Sequence, residues 1–143
     1  MSRTPFLDVT PEAGKQFFSN PPKGEIVMLN LLKFKDFADY SQTPAIAPEA
    51  VISGKKAYAL YMKHTLPFLK EVGSEVLFSG TSSSFLIGPS HEDWDLVLLV
   101  RHKDAATFLA FAQNEAYLSI AGHRTAALED SRLLPVASKV RLE

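Results

Sequence analysis

The chain has 143 residues, of which 46% are hydrophobic and 22% are charged, with a formal net charge of −1. This length and balance are typical of one soluble domain with a single hydrophobic core. No basic stripe suggests nucleic acid, no apolar run approaches the ~20 residues of a membrane span, and the lack of cysteine excludes disulfides and a thiol nucleophile. The first residues lack the pattern of a signal peptide, so we expect a cytoplasmic protein.

The N-terminal third predicts a short helix, a strand and a long connection. Thr10 is a favourable N-cap and Pro11 suits the first helical position, so a helix begins there and ends before 21–24. Residues 25–35 are apolar on both alternating faces, which is typical of a strand covered on both sides. Residues 36–53 contain two prolines and show no clear period. Connections of this length usually serve as functional lids or subunit-contact arms.

The middle of the chain predicts a helix and two strands. Ser53 is a favourable N-cap for an amphipathic helix over residues 54–72. Residues 73–88 then predict a strand that Gly80 interrupts, as at a bulge. Residues 94–102 predict another strand that is apolar on both faces.

The remaining elements complete a recognisable order. Asp104 is a favourable N-cap for a helix, a further helix covers about 116–130, and a last strand follows within 132–142. The order β-α-β-β-α-β is that of a ferredoxin-like α+β fold with an antiparallel sheet, here with extra N-terminal and C-terminal helices. We expect a single domain over 1–143.

Within that domain, the core is expected to cover about residues 25–137. The first 24 residues form an N-terminal helical extension, and residues 36–53 form the long loop. In an antiparallel sheet with helices on one face, the second face is ordinarily polar and wet. Here it is predicted to be apolar, so the same face of a second copy would cover it and give a two-fold homodimer.

Several stretches together resemble a known family. They include MLNLLKFK, GKKAYALYMKHTLPFLKEVG, VLFSG, WDLVLLVRH and AYLSIAGHRTAALEDSRLLP. They resemble domain-of-unknown-function family 1330 and its relatives in the dimeric α/β-barrel superfamily, over residues 25 to about 137. The resemblance implies a dimer whose two sheets close into a barrel, and it implies no established catalytic residue. Members of that superfamily include cofactor-independent monooxygenases, isomerases, decarboxylase-like proteins and haem-handling enzymes.

Arg124 is the most unusual residue of the predicted C-terminal helix. At the helical period it falls within the apolar stripe, together with Ile120 and Leu128, whereas His123 lies off the stripe. One interpretation is a side chain whose stem packs at the core edge and whose head is solvated or paired with a carboxylate. The other is a cation in a pocket wall that binds an anionic or enolate-like ligand.

The other candidate pocket residues lie on the predicted strands and the helix over 54–72. Asn30 interrupts an apolar strand, so its amide needs either backbone partners or a ligand. Trp94 opens a strand, where it fills the core or an interface or forms a ligand platform. Tyr58 and Tyr61 share the inward face of the helix and either pack in the core or line a cavity. His64 lies on the flank of that helix and could serve as a general base if it turned inward.

These residues leave two classes of function open. No metal-ligand spacing, P-loop or dinucleotide fingerprint is present, so we expect no metal, nucleotide or other cofactor, although haem stays a third option. The first class is a small enzyme that acts on a compact aromatic or anionic substrate, with Arg124 stabilising developing negative charge. The second is a non-catalytic dimeric ligand-binding or stress-associated module. The sequence does not decide whether the protein is an enzyme.

Overall fold

A computed structural model describes residues 4–138 of the chain as one sheet with helices packed against it. The strands are Ile26–Phe34 (β1), Glu75–Thr81 (β2), Leu96–His102 (β3) and Leu128–Ala137 (β4). The helices comprise Pro11–Ser19 (α1), Gly54–Glu71 (α2), Ala105–Ala112 (α3), Glu115–Ile120 (α4) and Gly122–Ala127 (α5), with a 3-10 turn at Pro44–Ile46. The end of the last predicted strand, beyond residue 138, lies outside the described residues.

The sheet has four strands in the order β2-β3-β1-β4, and every neighbouring pair is antiparallel. Helix α2 connects β1 to β2, and α3, α4 and α5 connect β3 to β4. This is the β-α-β-β-α-β topology of a ferredoxin-like α+β fold, with α1 added at the N-terminus and short helices added before β4. The predicted fold class is confirmed.

Three predicted helix starts are confirmed by their capping bonds. The Thr10 hydroxyl accepts a hydrogen bond from the Ala13 amide at 3.1 Å, and the Ser53 hydroxyl accepts one from the Lys56 amide at 3.1 Å. The Asp104 carboxylate accepts a bond from the Thr107 amide at 2.7 Å. Each side chain satisfies a donor that the first turn of a helix leaves free.

The core lies between the helices and one face of the sheet. Leu32 of β1 and Leu98 of β3 pack with Tyr58, Tyr61 and Leu69 of α2. A smaller cluster joins the N-terminal end of β1 to the start of α3, through Ile26, Met28 and Ala105.

The opposite face of the sheet is apolar and carries no helix in the described part of the chain. On this face Leu29 of β1 pairs with Leu99 of β3 and with Leu134 of β4. Leu134 is 58% exposed and Phe78 of β2 is 55% exposed. We call this surface the open sheet face; its apolar residues are Val27, Leu29, Leu31, Phe78, Val97, Leu99, Leu134 and Val136.

The predicted strand over 73–88 is wrong at its C-terminal end. Strand β2 ends at Thr81, and its irregularity lies between Val76 and Phe78 rather than at Gly80. Beyond Thr81 the pairing continues irregularly. The Ser82 amide donates to the Asp95 carbonyl, the Trp94 amide donates to the Ser83 carbonyl, and an isolated bridge joins Ser84 to Asp93. The apolar residues Phe85, Leu86 and Ile87 are exposed and lie outside the sheet.

The predicted single helix over 116–130 is also wrong. Two short helices, α4 and α5, meet at Ala121, and the helical segment ends at Ala127. Residues from Leu128 onward pair with β1 instead, with Leu128 opposite Phe34 and Ser131 opposite Leu32. For these residues, hydrogen bonding to the free edge of β1 is more favourable than continuing the helix that their apolar period predicts.

The segment over residues 36–53 packs across the end of α5. The Asp39 amide donates to the Ala126 carbonyl at 2.9 Å, and the Ala38 amide donates to the Ile52 carbonyl at 2.9 Å. A Cβ atom on Gly122 would lie 2.7 Å from the Thr43 side chain, so a larger residue there would push the segment away. We call residues 36–53 the connecting segment.

Candidate functional site

The connecting segment brings a tyrosine into contact with a buried histidine. The hydroxyl oxygen of Tyr40 lies 2.7 Å from Nδ1 of His123, and the two rings meet edge to face. His123 is buried on α5, whereas Tyr40 is only half-buried. Burial raises the pKa of the Tyr40 hydroxyl.

A second histidine completes this cluster. The ring of His64, on the exposed side of α2, stacks on the ring of His123 with centroids 5.7 Å apart and planes inclined by 13°. Burial, and secondarily the charge of His64, lower the pKa of His123. His123 is therefore neutral at pH 7, and the tautomer of its ring decides whether the tyrosine hydroxyl donates or accepts across this contact.

Tyr40 also lines an open cleft that is formed within the connecting segment. The cleft has a volume of about 180 Å³, below the roughly 300–1,000 Å³ of ligand pockets in general, so its occupant would be compact. Glu49 is the acidic side chain of its wall. The residues that line it are Ala38, Tyr40, Ala47, Pro48, Glu49, Ala50, Val51 and Ile52.

The prediction that His123 points away from the core side is wrong. It rested on a continuous helix through 116–130, whereas the break at Ala121 turns α5 relative to α4. His123 is only 7% exposed. The sequence does not single out Tyr40, because it lies in a segment without periodicity. Its signal was indirect: an aromatic residue with a polar end inside a long connection, where functional residues are common.

The two predicted tyrosines of α2 are buried among other rings. Tyr58 and Tyr61 contact each other with centroids 5.2 Å apart, and Tyr58 also contacts Phe34. The hydroxyl oxygen of Tyr61 lies 2.6 Å from that of Tyr117 on α4. Burial raises the pKa of Tyr58 and raises that of Tyr61 well above its ordinary value, so both hydroxyls stay protonated. Neither residue lines the cleft.

Arg124 hydrogen-bonds to the N-terminal part of the chain. Its Nη1 donates to the Leu7 carbonyl at 2.9 Å, and its Nη2 lies 3.5 Å from the Ser131 hydroxyl. Its charge lies close enough to Tyr58 and Tyr61 to oppose the rise of their pKa values. The stripe with Leu128 does not exist, since that residue belongs to β4.

Asn30 and Trp94 lie apart from this group. The Asn30 amide donates to the carbonyls of Met28 and Leu98, each at 3.3 Å, so backbone groups of the sheet occupy it. Trp94 is 2% exposed, and the guanidinium carbon of Arg132 lies 5.0 Å from the centre of its ring. Both observations fit the structural alternatives.

The predicted candidates therefore do not converge on one cavity in the part of the chain that the structure describes. Tyr58, Tyr61 and Arg124 lie together beneath the N-terminal residues, and His64 joins His123 on the other side of α5. Within residues 4–138, no three His, Asp or Glu side chains are arranged to hold a metal ion. Nor is any helix in that range long and apolar enough to cross a bilayer.

A protein of unknown function from Rhodopseudomonas palustris, RPA0582, is similar to this chain in both sequence and structure. It is 32% identical with a TM-score of 0.84, and the match covers 96% of this chain and 100% of that chain. A structure of the methylated form of the same protein matches equally well, over 98% of its length. The chain belongs to the same family as this protein.

Other solved structures are remote. A Dabb family protein with a ferredoxin-like fold from Mesorhizobium loti is 11% identical with a TM-score of 0.46, over 85% of this chain and 100% of that one. A dimeric ferredoxin-like protein of unknown function from Thermobifida fusca is 10% identical with a TM-score of 0.46, over 80% and 91%. No family model and no curated protein matches the sequence, so membership of domain-of-unknown-function family 1330 stays a prediction.

Proposed function

We propose that this protein is a cytoplasmic homodimer that binds a compact neutral aromatic molecule in the cleft within the connecting segment. We further propose that the Tyr40–His123 pair moves a proton on that molecule, without metal or nucleotide. The observation that carries the proposal is that Tyr40, which lines the cleft, places its hydroxyl oxygen 2.7 Å from Nδ1 of His123.

The homodimer is supported by the composition of the open sheet face. The side chains at its centre, Leu29, Leu99 and Leu134, are apolar, whereas Arg101 and Arg132 lie toward its ends. The exposed Leu134 would face water in a single copy. Contiguous apolar surface of this kind marks an interface. The occupant that we propose is the same face of a second copy, because a two-fold axis matches one apolar sheet with another of identical shape.

The chemistry of the cleft supports a neutral ligand. Most of its lining is apolar, and the carboxylate of Glu49 disfavours an anion. Tyr40 can serve either as donor or as acceptor toward a ligand, depending on which ring nitrogen of His123 carries the proton. If Nδ1 is protonated, it donates to the tyrosine oxygen, and the tyrosine hydrogen is then free to bind a carbonyl group.

A non-catalytic ligand-binding dimer is the second candidate. It is favoured by the burial of Tyr58 and Tyr61 among other rings, because the sequence-based enzyme hypothesis placed them in the wall of a cavity. In that case Tyr40 and His123 would orient a ligand without changing it.

Titration with acetophenone followed by NMR tests the binding site. Tyr40→Phe removes the hydroxyl at the cleft, and we expect it to weaken binding about fivefold to tenfold, the value of one hydrogen bond. Tyr117→Phe is the matched control, since it removes a hydroxyl that bonds to Tyr61 away from the cleft. Equal binding by wild type and Tyr40→Phe would rule out the site.

Exchange of the methyl protons of acetophenone in D₂O separates the two candidates. An acid–base enzyme would speed this exchange, because the Tyr40 hydroxyl would donate to the carbonyl oxygen and so make the methyl protons more acidic, and a solvent base would take up the proton that leaves. His123→Gln should then abolish the acceleration and leave binding largely intact. Binding without acceleration in the wild type would favour the non-catalytic module.

A further inference from the structure

The residues before α1 lie against β4 as a bound peptide would. The Phe6 amide donates to Oδ1 of Asp130 at 2.8 Å, and the Phe6 carbonyl accepts from the Ser131 hydroxyl at 2.5 Å. One residue further on, the Leu7 carbonyl accepts from Arg124 at 2.9 Å. We call residues 4–9 the N-terminal arm. Side chains, rather than a strand ladder, hold its main-chain groups.

The groups that receive the arm are themselves well fixed. Asp130 is 1% exposed and also pairs with Arg132 at 2.7 Å, and Ser131 is buried beside it. They sit at the start of β4, so the sheet sets their positions. Asp130 and Ser131 therefore present a fixed acceptor and a fixed donor to the main chain of the arm.

Arg124 is a cation among these groups, and the arm does not neutralise it. Its hydrogen bonds go to the oxygen atoms of Leu7 and Ser131, which carry no charge. Within residues 4–138 no carboxylate lies within 4.0 Å of its guanidinium nitrogens. A partly buried guanidinium binds a carboxylate more strongly than a carbonyl, because both of its nitrogens can donate to charged oxygens.

The N-terminal arm also contacts β4 through the aromatic ring of Phe6. The guanidinium carbon of Arg132 lies 4.8 Å from the centre of the Phe6 ring, and the same guanidinium lies over Trp94. Phe6 is 53% exposed, so its ring rests on the protein with one side only. A ring held in this way can be replaced by another ring with little loss of packing.

We propose that the surface formed by Arg124, Asp130, Ser131 and Arg132 is a binding site for an N-acylated aromatic amino acid with a free carboxylate. Its N–H would bind Asp130, its carboxylate would bind Ser131 and Arg124, and its ring would lie on Arg132. The N-terminal arm is then an internal competitor that occupies the site when no ligand is present. This site is separate from the cleft at Tyr40 and does not depend on the function proposed for it.

The competition predicts a measurable gain when the arm is weakened. Apparent affinity falls with the fraction of molecules whose site is free. The double substitution Phe6→Ala and Leu7→Ala removes the ring contact and the packing of Leu7 on the core, while the chain stays full length. It should bind N-acetyl-L-phenylalanine about tenfold more tightly than the wild type does.

Isothermal titration of the full-length proteins with N-acetyl-L-phenylalanine measures this gain. Adding Arg124→Gln to the double variant should abolish it. Adding Arg101→Gln, which removes a cation paired with Glu75 and Glu25 at the other end of the sheet, should leave it unchanged. The uncharged N-acetyl-L-phenylalaninamide should bind more weakly than the acid.

Circular dichroism shows whether each variant is folded before titration. If the double variant is unfolded, the single substitution Phe6→Ser takes its place in the titration. Equal affinities of wild type and arm variant, or no binding by a folded arm variant, would overturn the proposal. A gain that survives Arg124→Gln would overturn it as well. A dimer whose stability changes with the arm variant, without any change in ligand affinity, would show instead that the arm serves a second copy.

Discussion

The hydroxyl oxygen of Ser74 lies 2.6 Å from Nδ1 of His102, and both side chains are buried. The imidazole packs against Phe108 with ring centroids 5.2 Å apart. Burial, and secondarily the charge of Arg101, lower the pKa of His102 from 6.5 to about 4. His102 is therefore a neutral hydrogen-bonding group of the core at pH 7.

This pair predicts that acid destabilises the fold well before the carboxylates are protonated. The unfolded chain takes up a proton on His102 near pH 6.5, whereas the folded chain resists it down to about 4. The contribution to stability is complete above pH 6.5 and is lost as the pH falls through about 4. The loss totals about 3 kcal/mol. Urea unfolding at a series of pH values measures it.

His102→Gln should flatten this dependence, because glutamine does not titrate in this range. His91→Gln is the matched control, since His91 is exposed in the loop before β3, and it should retain the slope of the wild type. A His102→Gln protein with an unchanged slope would assign the effect to other groups.

If the open sheet face is the dimer interface, one charged substitution on it should dissociate the dimer. Leu134→Glu places a carboxylate within the proposed interface, where burial would remove its hydration. We expect the dissociation constant to rise more than about a hundredfold, which corresponds to about 3 kcal/mol. Sedimentation velocity at micromolar concentration measures the change.

Leu118→Glu is the control for this substitution. Leu118 is also an exposed leucine, but it lies on α4, which packs on the covered side of the sheet. That variant should remain dimeric. If the wild type itself sediments as a monomer, the dimer proposal fails.

At Gly54 we expect even one added methyl group to destabilise the fold. A Cβ atom there would overlap the carbonyl oxygen of Lys35 and lie 2.7 Å from that of Ala127. These are backbone atoms of the residue that follows β1 and of the last residue of α5, which cannot move aside alone. Gly54→Ala should lower the free energy of unfolding by about 3 kcal/mol. Lys55→Ala, at the exposed neighbouring position, should change it by less than about 0.5 kcal/mol in the same chemical unfolding experiment.

Replacing Thr65 on α2 is expected to stabilise the protein. Its hydroxyl is buried on α2 and has no hydrogen-bond partner among residues 4–138. Thr65→Val keeps the shape and removes the unsatisfied group, so it should raise the free energy of unfolding by about 1 kcal/mol. Ser53→Ala removes the capping bond of the same helix and should lower it by about 1 kcal/mol. A destabilised Thr65→Val protein would indicate that the hydroxyl does have a partner.

Local patterns were sufficient for most of the fold. The capping residues Thr10, Ser53 and Asp104 each start a helix, since a cap acts within three positions of itself. Where a pattern failed, a distant segment was responsible. The helical period over 116–130 gave way at Leu128, because β1 offered that stretch a pairing partner.

The candidate site was less accessible to prediction. Periodicity states which way a side chain faces, but it does not state what lies opposite. The Tyr40–His123 contact joins residues 83 positions apart, and one of them lies in a segment without any period. The predicted tyrosines did face inward, but the neighbouring rings that enclose them come from other parts of the chain.

The sequence by itself determined the order of the elements and the apolar character of both faces of β1, because both follow from the nature of adjacent residues. Only the tertiary structure decided what Arg124 binds. Its partner is the carbonyl of Leu7, 117 positions away. A backbone carbonyl is the same in every residue, so no side-chain pattern could have indicated it. The fold supplied that contact by returning the N-terminal arm to the first residues of β4.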